Sequence, residues 1–122
     1  MAPPIGSYSH LVSDPAGARL LVVAGQVGVR ADGTLAASFE GQFDQALRNA
    51  LSVIGSQGAT AANIIKLNTW AVAGTPIDFN EWRSLRASLL GEAKPPSTFA
   101  YVSRLFSPEF LVELEAWAAV FD

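Results

Sequence analysis

Apolar residues recur at two different spacings along this chain, and the spacing predicts where helices and strands form. A helical spacing of three and four residues occurs in two stretches. The first ends at Gly58, a typical C-terminal stop, and its apolar stripe consists of Phe43, Ala46, Leu47, Ala50, Leu51 and Ile54. The second opens with Asp78 and Glu81 at capping-box spacing and ends at Gly91, with a stripe of Phe79, Trp82, Leu85 and Leu89.

The remaining apolar stretches predict strands. Arg19–Gly25 is a short apolar run that indicates a strand buried on both faces. Val27 and Val29 then alternate with other residues before the turn residues Asp32 and Gly33, so we expect a second short strand. Residues 63–74 are rich in β-branched and aromatic side chains, with Ile65, Leu67 and Ala71 expected on one face and Lys66, Asn68 and Trp70 on the other.

Two further strands, Ser97–Ser103 and Phe110–Phe121, complete the order β-β-α-β-α-β-β in a single domain of 122 residues. Two helices can cover one face of such a mixed sheet. The last strand is apolar on one face, with Glu113, Glu115 and Trp117 on the other. Because no element remains to cover this second face, we expect it to form a subunit interface.

Charge and composition exclude several kinds of partner. The net charge is −3, and the eight Lys and Arg residues are scattered along the chain, whereas nucleic-acid binding needs a cationic patch. There is no cysteine, and no apolar run reaches membrane length. The polar start of the sequence leads us to expect no signal peptide. We expect a cytoplasmic protein that binds neither nucleic acid nor membrane.

The sequence offers few groups for chemistry. His10 is the only histidine and is expected on the surface, and no motif for a metal, a phosphate or a dinucleotide is present. We therefore expect no metal and no cofactor. Glu113 and Glu115 lie two residues apart on one strand, about 7 Å from each other. They are either exposed or ion-paired, or one of them is a general acid/base that holds a water molecule in a cleft between subunits.

Four segments, GSYSH, VVAGQVG, QALRNALSVIGSQGATAANIIKLNTW and VELEAWA, resemble the RidA/YjgF family in order along nearly the whole chain. The resemblance implies a chorismate-mutase-like α+β fold and a homotrimer with ligand clefts between subunits. It also implies the hydrolysis of reactive enamines and imines to ketoacids and ammonia.

The resemblance assigns roles to single residues. Tyr8 corresponds to a tyrosine near the cleft, and Gly25 and Gln26 to the last two residues of a Ser-Gly-Gln segment, whose serine is Ala24 here. Glu113 corresponds to a glutamate thought to position water. Phe99 stands where some members have a small or thiol side chain, which implies a narrower or more apolar pocket.

The largest departure lies in the segment Pro95–Thr98. Deaminating members have Pro-Ala-Arg followed by Ser or Thr, and the arginine binds the substrate carboxylate; here Ser97 stands at the arginine position, followed by Thr98. Arg104 would lie roughly 23 Å further along the strand. Arg83 is the first candidate to replace the arginine, and Arg86 lies one turn further on a nearby face; alternatively, both are solvated helix arginines.

The first hypothesis is a small-molecule hydrolase or deaminase with altered substrate choice, poor on 2-iminopropionate-type substrates, whose activity Ser97→Arg would raise. The alternative is a non-catalytic ligand-binding or protein-interaction trimer. The ribonuclease label that some relatives carry is disfavoured by the acidic charge and by the lack of a basic patch.

Overall fold

The structure, a computed structural model, describes residues 1–4, 6–14 and 16–122. Within these residues two α-helices form, α1 (Phe39–Gly55) and α2 (Phe79–Leu90), together with a short 3₁₀ turn at Ala61–Asn63. The strands are β1 (Arg19–Val22), β2 (Ile64–Val72), β3 (Ser97–Val102) and β4 (Val112–Val120). The predicted α+β class is confirmed.

The four strands form one mixed sheet in the order β1-β4-β2-β3. β4 is antiparallel to both of its neighbours, whereas β2 and β3 are parallel. Parallel neighbours cannot be joined by a hairpin, and α2 provides the crossover between them. The last strand of the chain therefore lies inside the sheet, between β1 and β2.

Both helices pack on the same face of the sheet, as predicted. The apolar stripe of α1 is buried against side chains of β2 and β4, and this core contains Phe43, Ala46, Leu47, Ala50, Ile54, Leu67, Ala71, Val112, Leu114, Ala116 and Ala118. Stacking of Phe39 on Phe43 extends the core toward β3. α1 thus covers the centre of the sheet, and α2 lies beside it.

The cap predicted for α2 is confirmed. Asp78 Oδ1 accepts the backbone N–H groups of Asn80 and Glu81, each at 3.1 Å. Glu81 does not complete a capping box, because the Asp78 N–H donates to Glu40 Oε1, 2.6 Å away. This hydrogen bond fixes the start of α2 to the first turn of α1.

The prediction that the first strand is buried on both faces is wrong for this chain. β1 ends at Val22, and Leu20 and Val22 are 52% and 62% exposed. The reason is that β1 is an edge strand and the helices cover one face only. The second predicted strand is reduced to isolated bridges of Gln26 with Leu114 and of Val29 with Leu35.

Two smaller expectations also need correction. A β-bulge between Ile64 and Lys66 places Ile64 rather than Ile65 in the core, because the extra residue shifts the alternation. In α2, Phe79 is partly exposed, and the buried positions are Arg86 and Leu90.

The face opposite the helices, called here the open sheet face, carries Leu20, Val22, Lys66, Asn68, Trp70, Glu113, Glu115 and Trp117. Glu113, Glu115 and Trp117 point to this face as predicted, because their cross-strand partners on β2 are Trp70, Asn68 and Lys66. Trp117 is 42% exposed.

Within the described residues, no helix has the length and apolarity needed to cross a lipid bilayer.

Candidate functional site

A cavity of about 390 Å³ lies on the helix side of the sheet, between α2, the first half of β3 and the N-terminal segment. Its lining residues are Gly6, Ser7, Tyr8, Thr69, Trp82, Arg83, Arg86, Ala87, Ser97, Thr98 and Phe99. The volume falls within the range of small-molecule sites. Five of the residues predicted for the site, Tyr8, Arg83, Ser97, Thr98 and Phe99, border this cavity.

Arg86 is the most deeply placed charge of the cavity. Its side chain projects from α2 toward the start of β3, and the residue is only 7% exposed. Nη2 donates to Ser97 Oγ at 2.6 Å, and Nη1 donates to the backbone oxygen of Ser7 at 2.7 Å. Burial lowers the pKa of the Arg86 guanidinium below its usual value, yet arginine stays protonated at neutral pH. Arg86 of α2 therefore contacts Ser97, which stands where the resemblance places the substrate-binding arginine.

Arg83, the first candidate from the sequence, is less suited to this role. It is exposed, and its guanidinium carbon lies 6.0 Å from the centre of the Phe79 ring. This places Arg83 at the mouth of the cavity, in a cation–π arrangement. Arg104 lies beyond the end of β3, and its guanidinium donates to nearby backbone oxygens of residues 105 and 106.

Ser97 is held from two sides. Its hydroxyl accepts from Arg86 and donates to the backbone oxygen of Pro95 at 2.9 Å. Thr98 borders the cavity as well, but its hydroxyl accepts a hydrogen bond from Lys66 Nζ, 2.9 Å away. Tyr8 also lines the cavity, and the ring of the exposed His10 packs edge-on against it with the ring centres 5.9 Å apart.

Aromatic rings form one wall of the cavity. Trp82 and Phe99 meet edge to face with their centres 5.3 Å apart, and Phe79 lies 6.1 Å from each of them. Tyr101, on the same side of β3, packs 5.4 Å from Phe99. The expectation from the sequence of an apolar pocket at Phe99 agrees with this wall.

The predicted acid lies on the other face of the sheet. Phe99 pairs with Thr69, whereas Glu113 pairs with Trp70. Since consecutive strand residues point to opposite faces, Glu113 of one chain faces away from that chain's own cavity. The predicted acid and the cavity can share one site only when a second copy brings its Glu113 to this cavity.

Gly25 and Gln26 lie near Glu113 and do not border the cavity. The Gln26 backbone continues the sheet after β1 by exchanging hydrogen bonds with Leu114 at 2.6 and 2.9 Å. A Cβ at Gly25 would lie 2.3 Å from Glu113 Oε1, so only glycine leaves room for the carboxylate in its present place. Glu115, two residues on, accepts a hydrogen bond from Asn68 Nδ2 at 3.1 Å.

Across residues 1–4, 6–14 and 16–122, no three His, Cys, Asp or Glu side chains lie close enough together to hold a metal ion. The groups that face the cavity are one buried and one exposed guanidinium, hydroxyls and aromatic rings. Such a set can bind an anionic or polar organic molecule, and none of the lining residues is a carboxylate or a histidine.

The sequence prediction left the role of Arg86 open and placed Trp82 in the core. Both belong to the cavity, and their spacing carried a signal. Residues four apart share a helix face, so an arginine four residues after Trp82 lies within the apolar stripe of α2 rather than on its solvent side. Thr69 lies between Leu67 and Ala71, so the alternation of β2 places it on the helix side, but only the pairing of β2 with β3 brings it next to Phe99.

The chain is similar to one protein family and to several solved structures. A family model described as Endoribonuclease L-PSP matches residues 1–120. A solved structure of a protein of unknown function of the Rid family, YyfB from Yersinia pestis, is 32% identical over 93% of this chain and 87% of that chain, with a TM-score of 0.83. No curated protein is similar enough to count as a match.

Two more distant structures have the same fold. Rv2704 from Mycobacterium tuberculosis, a member of the YjgF family, is 28% identical over 93% of this chain and 87% of that chain, with a TM-score of 0.68. RidA from an Antarctic Psychrobacter is 22% identical over 98% of this chain and 94% of that chain, with a TM-score of 0.74. At that identity the second likeness concerns the fold alone.

Proposed function

This chain belongs to the endoribonuclease L-PSP family, which includes the Rid and YjgF proteins, and we propose that it is a small-molecule hydrolase with altered substrate choice. The reaction class is the hydrolysis of imines or enamines. The site is a cleft between subunits of a homotrimer, the assembly that the family resemblance implies.

One observation carries this proposal. Tyr8 and the segment Ser97–Phe99, which are far apart in the sequence, border one cavity of ligand-binding size. These positions are among those that the resemblance assigns to the substrate pocket. Their convergence supports a small-molecule site and gives no support to a polynucleotide groove.

The acid would come from a second copy. In the proposed assembly, the open sheet face of one subunit covers the cavity of the next, and Glu113 then faces the bound substrate. Its carboxylate orients a water molecule and accepts a proton as the water oxygen bonds to the C=N carbon. The nitrogen takes up protons and leaves as ammonia when the C–N bond breaks, so that the products are a carbonyl compound and ammonia.

The test uses imines released in situ from several amino acids by an amino-acid oxidase, with product formation followed over time. We expect wild-type protein to accelerate hydrolysis of at least one of them. Glu113→Gln should reduce the rate by about 100-fold, within the range of general acid–base catalysis. Glu115→Gln is the matched control, because it changes a carboxylate on the same face, and it should stay within about threefold of wild type.

A second candidate function is ligand binding without catalysis. It is favoured by the position of Ser97, whose hydroxyl is already engaged by Arg86 and by Pro95. Ligand binding with no acceleration for any imine would support this second function. Acceleration that is unchanged in Glu113→Gln would contradict the proposed role of the acid.

A further inference from the structure

Within the described residues, Arg86 is a buried cation without an anionic partner. Of the two ion pairs among the described residues, one joins Arg19 to Asp122 and the other joins Arg48 to Asp44. The hydrogen bonds of Arg86 go to a hydroxyl and to a backbone oxygen, and burial is the one cause that shifts its pKa. Its positive charge is thus solvated in part and neutralised by no carboxylate of the described chain.

A buried charge of this kind is costly, and buried charges in proteins are normally paired. The two hydrogen bonds also use only part of the guanidinium, whose five N–H donors form a planar fork suited to a carboxylate. Donors therefore remain on a group that lines the cavity. The missing partner of Arg86 is expected in the cavity itself.

The cavity has the charge that an anion requires. None of its lining residues is acidic, and the second charged group, Arg83 at the mouth, is also positive. Two cations border a space whose other walls are largely apolar. In such surroundings the attraction between a guanidinium and an anion is stronger than in water.

The side chains that line the cavity also indicate which chemical group the rest of the ligand carries. Trp82, Phe99 and Tyr8 all line the cavity, and the rings of Trp82 and Phe99 meet edge to face. Aromatic side chains gain most from flat partners that can stack or meet edge to face. A ligand held by Arg86 at one end would place a flat apolar group against these rings.

We propose that the cavity binds an organic monoanion with an aryl group, that Arg86 on α2 holds the anionic head, and that Trp82 and Phe99 hold the ring. This deepens the proposed function, because it names the substrate class of the same site. The binding of such a ligand does not require turnover, so it can be tested separately from catalysis.

The first experiment compares three stable probes on the wild-type protein by NMR titration, in which the Trp82 indole signal reports on this cavity. The probes are 3-phenylpropanoate, its uncharged amide 3-phenylpropanamide, and propanoate, which lacks the ring. We expect 3-phenylpropanoate to bind at least about tenfold more tightly than either of the others. Equal binding of the acid and the amide would overturn the role of the cation, and equal binding of propanoate would overturn the aryl preference.

The second experiment identifies the residue. Arg86→Gln should weaken binding of 3-phenylpropanoate about 10- to 100-fold and change binding of the amide by less than about threefold. Arg83→Gln should reduce anion binding far less, since its group is exposed. Arg48→Gln, on the outer side of α1 and away from the cavity, is the control and should leave both affinities unchanged.

The acid-to-amide ratio keeps this test decisive even if Arg86→Gln loosens the cavity, because loosening affects both probes while loss of the charge affects only one. Arg86→Lys retains a positive charge, so it should retain part of the preference for 3-phenylpropanoate over the amide. A ratio unchanged in Arg86→Gln would overturn the proposal. So would a large gain in anion binding by Glu113→Gln, because the partner of Arg86 would then be a neighbouring subunit's carboxylate. Selective anion binding without imine hydrolysis would contradict the proposed catalysis and leave this inference standing.

Discussion

At the scale of single residues, the pair formed by Ser97 and Arg86 changes what a substitution at Ser97 should do. From the sequence alone, Ser97→Arg restores an arginine that deaminating relatives carry. In the structure the Ser97 hydroxyl lies 2.6 Å from Arg86 Nη2, so a second guanidinium would stand beside the first in a buried place. Two like charges at such a distance repel each other.

We therefore expect Ser97→Arg to destabilise the fold by about 2–4 kcal/mol and to leave imine hydrolysis unimproved. The double variant Ser97→Arg with Arg86→Ala should recover most of this stability. Urea denaturation of both proteins measures the effect, with Ser103→Arg, an exposed position just after β3, as control. A single variant as stable as wild type would show that the site accommodates two cations.

A second residue-scale prediction concerns Gly25. Alanine there would bring a Cβ to 2.3 Å from Glu113 Oε1. The carboxylate is the flexible end of its side chain, so it should move rather than unfold the protein. We expect Gly25→Ala to change Tm by less than about 3 °C and to lower imine hydrolysis about 10- to 100-fold, as a misplaced catalytic group does.

Gly55→Ala is the comparison variant for Gly25→Ala, because nothing lies within 4 Å of a Cβ at that helical position. It should be as active as wild type and slightly more stable, since alanine favours the helix over glycine. Full activity of Gly25→Ala would argue that the present position of Glu113 is not needed for hydrolysis.

At the scale of elements, the buried amide of Gln42 joins α1 to the chain before β4. Gln42 Nε2 donates to the backbone oxygens of Ala36 and Glu109 at 2.9 and 3.0 Å, and Oε1 accepts from the Leu111 N–H at 2.9 Å. The residue is 1% exposed. A helix and two loops are thus connected by one side chain in the core.

Removing this amide leaves buried backbone groups without partners. We expect Gln42→Ala to cost about 3 kcal/mol of unfolding free energy, through unsatisfied groups and a small cavity. Gln45→Ala, one turn along the same helix and bonded to the Asn49 side chain, should cost less than about 1 kcal/mol. Denaturant titration compares the two variants. Equal losses of unfolding free energy would mean that the three hydrogen bonds from the Gln42 side chain to the backbone contribute little.

At the scale of the whole molecule, the open sheet face predicts self-association. Val22 and Trp117 are cross-strand partners there, 62% and 42% exposed, which is unusual for large apolar side chains of a lone subunit. We expect an assembly larger than a monomer in sedimentation at micromolar concentration. Trp117→Lys should shift it toward monomer, whereas Phe106→Lys, in a loop and 95% exposed, should not. A wild-type monomer would contradict the shared cleft as well.

The charge of the molecule leads to a prediction about RNA. The family description includes the word endoribonuclease, but the net charge here is −3 and the basic residues are scattered. RNA affinity depends on neutralising phosphates with cations. We therefore expect no RNA cleavage, and we expect that lowering the salt concentration does not produce RNA binding. Fluorescence anisotropy with labelled RNA at two salt concentrations tests this. Cleavage that disappears in Glu113→Gln would show that this reasoning is wrong.

The sequence by itself predicted both helices, the long strands and the side on which most strand residues lie, with the bulge at Ile64–Lys66 as an exception. The stripe from Phe43 to Ile54 and the alternation from Val112 to Trp117 are local periodic patterns, and each follows from the repeat of its element. The family resemblance, rather than a local pattern, assigned Tyr8, Ser97, Thr98 and Phe99 to one pocket, and all four border the cavity. Local patterns are sufficient where burial depends on the period alone.

Only the tertiary structure decided which residues meet across elements. Arg86 rather than Arg83 reaches Ser97 because α2 crosses from β2 to the parallel strand β3 and turns that face of the helix inward. Glu113 lies away from the cavity because β4 inserts beside β2 with Trp70 opposite it. The pairing of distant strands sets both results, and no spacing along the chain encodes the register between strands that are thirty or more residues apart.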